Sequence, residues 1–147
     1  MNVNKKRLNE ILNNLPFDNR DILLVGGVVR YITEIENDYR DIDVIVNNSF
    51  VIPNNIEYKI NMYYGIKLLY NNIEIDIWKL KNHIIPCDSF EEIQETWRLS
   101  IDALYYDVEK NVLYDKYFDK SLKINWNNPI KDVEKKYINL KLSRFQI

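Results

Sequence analysis

The 147-residue sequence predicts an α/β domain of the α+β kind, a mixed sheet with flanking helices, and three observations lead to that class. Leu8, Ile11, Leu12 and Leu15 recur with the period of a helix. Asp41-Ile42-Asp43-Val44-Ile45-Val46 alternates with the two-residue period of a strand. Two further apolar runs, residues 66–70 and 73–80, flank Asn71-Asn72, a pair that tolerates the positive φ of a tight hairpin turn. With 46% hydrophobic residues the chain suffices for one ordinary core and is short for two, so a single domain over residues 1–147 is expected.

Taken in order, residues 4–15 form the first amphipathic helix, stopped by Pro16. Asp21-Ile22-Leu23-Leu24-Val25 is a short strand, Gly26-Gly27 a turn, and residues 28–35 a helix. On the strand at 41–46, Ile42, Val44 and Val46 share one face and Asp41 and Asp43 the other. On the second hairpin arm Ile73, Ile75 and Ile77 face one way, and Glu74, Asp76 and Trp78 the other. Ser89-Phe90-Glu91-Glu92 matches a capping box and opens a short helix. Residues 99–114 read as a second hairpin turning near Glu109-Lys110-Asn111. Asn128 as cap and Pro129 at the first helical position open a last helix, with Ile130, Val133, Tyr137 and Leu140 as its apolar face and Lys135, Lys136, Lys141 and Arg144 as basic residues.

Composition excludes several classes of function. A net charge of −2 argues against holding nucleic acid by broad electrostatic attraction alone. No stretch approaches the roughly 20 apolar residues that cross a bilayer, and no apolar signal core follows Met1, so a soluble, cytoplasmic protein without membrane partners is expected. Cys87 is the single cysteine, which precludes an intramolecular disulfide. With His83 it supplies two of the four ligands of a closed zinc site, so a surface histidine and a packed thiol are expected instead.

The chemistry resides in three features that follow one another. Gly26 and Gly27 have no side chains to keep a phosphate off the backbone, and the helix that follows presents free N–H groups. Arg30 can add a charge-assisted contact. Asp41 and Asp43 point the same way about 7 Å apart along a strand, and Asp76 or Glu74 supplies a third acid. Such carboxylates can hold two magnesium or manganese ions, which activate an attacking hydroxyl and neutralise a leaving pyrophosphate.

Leu24-Val25-Gly26-Gly27-Val28-Val29-Arg30, followed by Arg40-Asp41-Ile42-Asp43, resembles the head-domain signature of class II tRNA nucleotidyltransferases and poly(A) polymerases. Residues 97–107 resemble the family's Arg-Asp-Phe-Thr-Ile-Asn-Ala-Leu segment. The resemblance implies a polymerase-β-like nucleotidyltransferase fold, metal ligation by Asp41, Asp43 and Asp76, and nucleotide binding by Gly26, Gly27, Arg30 and Arg98, the last within a segment that forms part of the family's nucleotide pocket. Tyr31 stands where the family has aspartate, Trp97-Arg98 replaces Arg-Asp, and Asp102 replaces Asn. The family's tRNA-gripping neck, body and tail have no counterpart, so tRNA tailing is not expected.

The function expected is metal-dependent transfer of a nucleoside monophosphate from a nucleoside triphosphate to a hydroxyl on an RNA, a protein or a small molecule. The alternative is a non-catalytic nucleotide-binding or antitoxin-like regulatory module of the same fold. The clustered acids favour the enzyme, because like charges held together are costly without cations.

Overall fold

The computed structural model describes residues 1–127 and 130–145. Seven strands form one mixed sheet in the order β3-β4-β5-β2-β1-β6-β7. They are β1 (Ile22–Val25), β2 (Asp41–Val46), β3 (Lys59–Ile60), β4 (Ile66–Tyr70), β5 (Ile73–Lys79), β6 (Tyr105–Asp107) and β7 (Val112–Tyr114). Every pairing is antiparallel except β2 with β5. Four α-helices, α1 (Lys5–Asn13), α2 (Gly27–Ile32), α3 (Phe90–Ile93) and α4 (Asp132–Phe145), complete the described elements together with short 3-10 turns. No helix among the described residues is long and apolar enough to cross a membrane.

Alternation on β2 and β5 produces a two-faced sheet. Ile42, Val44, Val46, Ile75 and Ile77 lie on the face covered by α1 and α2, where they are buried with Ile11, Val28, Val29 and Ile32. At one end of the opposite face, Leu23, Ile45 and Tyr105 pack with Leu80, Cys87 and Ile93. The Cys87 thiol is packed as expected and donates to the Ile85 carbonyl at 3.2 Å.

Local chemistry accounts for most boundaries. The Asn4 side chain caps α1 by accepting from the Arg7 N–H at 3.1 Å. Asn71 and Asn72, with φ of 50° and 63°, make the two-residue turn between β4 and β5. Ser89 caps α3 by accepting from the Glu92 N–H, while Glu92 reaches back to the Asp88 N–H at 3.1 Å, one residue earlier than in an ideal capping box.

Two expectations need correction. The predicted hairpin over residues 99–114 pairs only along β6 and β7, turning at Asn111 with φ 54°, while Ser100–Asp102 forms a 3-10 turn. That turn is held by non-local partners: the Lys123 carbonyl accepts from the Ser100 N–H, and the Asp119 carbonyl from its hydroxyl. The buried face of α4 is also different. Ile138 and Glu134 are 4% and 1% exposed, whereas Val133 and Leu140 are 46% and 70% exposed. A buried ion pair from Glu134 to Arg98 anchors the helix, which an apolar-stripe rule cannot see. Asn128 and Pro129, the expected start of this helix, lie outside the described residues.

Candidate functional site

The parallel pairing of β2 with β5 sets Asp41 opposite Glu74 and Asp43 opposite Asp76. Opposed residues of a ladder share a face, so four acids form one wall. Asp41, Glu74 and Asp76 can each offer a carboxylate oxygen such that all lie within 4.8 Å of one another. Asp43 and Asp76, opposed on the ladder, lie close enough for the charge of each to act on the other. Asp76 thus belongs to both groupings, and Glu74 stands beside it as a further donor.

Gly26 closes the wall from the β1 side. Its φ of 74° is a conformation that side chains rarely adopt, and a Cβ there would lie 3.1 Å from Asp43 Oδ2. The turn therefore brings backbone, not a side chain, against the half-buried acid. Helix α2 is only six residues long, so its dipole adds little.

Burial and like charge act on these acids together. Burial, reinforced by Asp76 and Asp41, pushes the Asp43 carboxyl up to about 7, and nearby Lys141 partly opposes this. The Asp76 carboxyl is also raised, first by burial and then by Glu74. Lys67, opposite Asp76 across the β4–β5 hairpin, places its ammonium 3.2 Å from Glu74 and 3.8 Å from Asp76. Alternation along residues 66–70 carries the signal for Lys67, which the sequence reading overlooked.

Two clefts meet at Asp43. The first, of about 300 Å³, has Gly26 at its edge and is lined by Trp78, Trp97, Arg98, Tyr105 and Tyr137. His83, half-buried, borders it as well, and its partial burial lowers its pKa. The second cleft, of about 410 Å³, lies beyond Gly27 and Asp41 and is lined by Arg40, Lys141 and Arg144.

The two arginines expected to bind nucleotide are placed differently from Gly26 and Gly27. Arg30 is 2% exposed; its Nε donates to Glu36 at 3.0 Å and its Nη1 to Asp102 at 2.6 Å. It borders the second cleft, but its guanidinium ties α2 to the 3-10 turn at Asp102. Asp102 also accepts from the Tyr137 hydroxyl and sits 3.6 Å from the Lys141 ammonium. Arg98 pairs with Glu134, and its residue also lines the first cleft. Trp97 stacks on Tyr117 at 5.5 Å and borders the same cleft. Tyr31 packs away from the acids, donating to Glu10 at 2.5 Å beneath the Arg7 guanidinium.

No protein-family model and no curated protein matches the sequence. Among solved structures, the chain is similar to a CCA-adding enzyme in its apo form, with a TM-score of 0.53 and 15% sequence identity. The match covers 95% of this chain and 40% of that enzyme's chain. At this identity the likeness is one of fold: the chain has a nucleotidyltransferase-like fold of mixed α and β structure.

Proposed function

We propose that this chain is a metal-dependent nucleotidyltransferase, moving a nucleoside monophosphate from a nucleoside triphosphate to a hydroxyl acceptor. The observation that carries the reading is the acid wall. Asp41, Asp43, Glu74 and Asp76 occupy opposed ladder positions beside a glycine in a positive-φ turn. A nucleotidyltransferase-like fold, shared with an enzyme named for adding nucleotides, supports it.

The donor set fits a hard divalent cation, since Asp41, Glu74 and Asp76 can bring carboxylate oxygens within 4.8 Å of one another and Asp43 stands opposite Asp76 on the ladder. Asp41, Asp43 and Asp76 are the proposed ligands, with Glu74 beside them. Magnesium or manganese held there would supply Lewis-acid charge at the reacting phosphate. The rest of the work falls to the chain itself. Gly26 and Gly27 let the phosphate approach, the first cleft takes the nucleoside between aromatic walls, and Arg98 borders that cleft while fixed by Glu134. We propose one domain over residues 1–147.

The test is incubation with each radiolabelled triphosphate, magnesium or manganese and cell extract, scoring label on RNA, protein and small molecules. Wild type should transfer label. Asp43→Asn and Asp76→Asn should lose at least about a hundredfold in rate, because metal-borne charge stabilisation is worth several kcal/mol. Transfer by Asp43→Asn at the wild-type rate would sink the assignment. Nucleotide binding without transfer would instead favour the regulatory module.

A further inference from the structure

The chemistry proposed above places the reacting phosphate at Asp43, where the two clefts meet. On one side the cleft is aromatic; on the other Arg40, Lys141 and Arg144 line it together with Glu36 and Asp38, so that, apart from Asp41, Asp43 and the ion-paired Arg30, its cations outnumber its acids. A nucleoside triphosphate has a matching asymmetry, a flat base at one end and a polyanionic tail at the other. Arg30, the cation nearest the glycine turn in sequence, is buried in ion pairs with Glu36 and Asp102. Charge for the tail has to come from elsewhere. Helix α4 crosses both clefts with one stripe, Tyr137, Lys141 and Arg144 at i, i+4 and i+7. Tyr137 lines the aromatic cleft, and Lys141 and Arg144 line the second, where Arg30 and Arg40 join them and Glu36, Asp38, Asp41 and Asp43 supply carboxylates. Lys141 is held in place by Asp102 at 3.6 Å and by the Tyr137 ring at 5.6 Å.

We propose that α4 completes the substrate site, with Lys141 and Arg144, joined by Arg40, gripping the distal phosphates of the triphosphate in the second cleft. The inference rests on the nucleotidyltransferase reading. It assigns phosphate recognition to a helix more than a hundred residues from the glycine turn, and gives Arg30 the separate task of holding Asp102, which positions Lys141.

The experiment is equilibrium binding, with magnesium present, of inorganic tripolyphosphate, the α,β-methylene analogues of the four nucleoside triphosphates, and the four monophosphates. The proteins are wild type, Lys141→Met/Arg144→Met, Arg144→Met alone, and Lys136→Met as a control on an exposed position. Each lost charged contact should weaken tripolyphosphate and triphosphate binding about tenfold, with monophosphate binding and the Lys136 control unchanged. If the double variant does not fold, Arg144→Met, an exposed residue, carries the same expectation on its own. Equal weakening of mono- and triphosphates overturns the proposal, because α4 would then act only by shaping the fold. Unchanged triphosphate binding in the variants overturns it too. Wild type that binds none of these ligands would sink the nucleotide reading beneath it, a result distinct from wild type that binds while its variants are indifferent.

Discussion

The acidic and cationic sides of this site are built in different ways. Asp41, Asp43, Glu74 and Asp76 sit on two adjacent strands, and ladder register alone decides which of them face one another. The cations come from scattered segments: Arg30 on α2, Arg40 before β2, Arg98 ahead of a 3-10 turn, and Lys141 and Arg144 on α4. What each does depends on the partner it finds, not on its position in an element. A strand's alternation thus shows where a carboxylate points, whereas an arginine long enough to reach several acids carries no such information.

The sharpest way to break this contrast is to test Arg30. Its guanidinium bridges Glu36 and Asp102 while almost wholly buried, so Arg30→Met leaves two carboxylates short of a cation. Breaking a buried pair from one side costs about 3–5 kcal/mol. Chemical denaturation should show a stability loss of that size. A variant of unchanged stability but poor triphosphate affinity would return Arg30 to the phosphate role suggested by its place after the glycine pair.

A smaller effect separates the two glycines, which sequence alone treats as equivalent. Gly26 has φ +74° and would set a Cβ 3.1 Å from Asp43 Oδ2, whereas at Gly27 the nearest atom is Arg30 Nη2, at 3.3 Å, with φ outside that region. Gly26→Ala should therefore cost about 1–2 kcal/mol of stability and displace the acid beside it. Gly27→Ala should cost less, since a guanidinium end can shift more readily than backbone. Thermal unfolding of the two variants, with and without magnesium, measures both consequences. Equal behaviour would mean the positive-φ turn does not matter to the acid wall.

What the sequence made legible follows the same division. The alternation at 41–46, the Asn71-Asn72 turn and the glycine break were enough to place the acids on one face beside a turn, because each depends on residues near in sequence. The third acid stayed divided between Glu74 and Asp76 because both have the same parity on β5; the register adds that Asp76 opposes Asp43, and Glu74 opposes Asp41. The 3-10 turn at Ser100–Asp102 was hidden because its hydrogen bonds come from Asp119 and Lys123. The buried side of α4 was hidden because Glu134, a residue that patterning assigns to solvent, is neutralised by Arg98. Tertiary ion pairs override local patterns at these points, and Arg30 and Arg98 both take part in such pairs.

The smallest expected effect concerns pH, and it isolates the cost of the acid wall. Burial and the charges of Asp76 and Asp41 raise the Asp43 carboxyl from 3.8 to about 7 in the folded protein. Between those values the folded state holds a proton that the unfolded chain has released, so the metal-free protein loses stability as pH rises through this window. His83 acts with the opposite sign, since burial lowers its pKa below 6.5 and the unfolded chain takes up protons first. Comparing wild type with Asp43→Asn cancels that contribution. In chelator, the wild-type unfolding midpoint should fall relative to Asp43→Asn by about 5 °C between pH 4.5 and 7.5, a shift discounted for the sharing of charge with Asp76. Magnesium should remove most of the difference at pH 7.5, because a cation bound only by the folded state stabilises the ionised acids. A wild-type midpoint that tracks Asp43→Asn throughout would mean the carboxyl ionises as it does in water, and the acid wall would then carry no electrostatic demand for a metal.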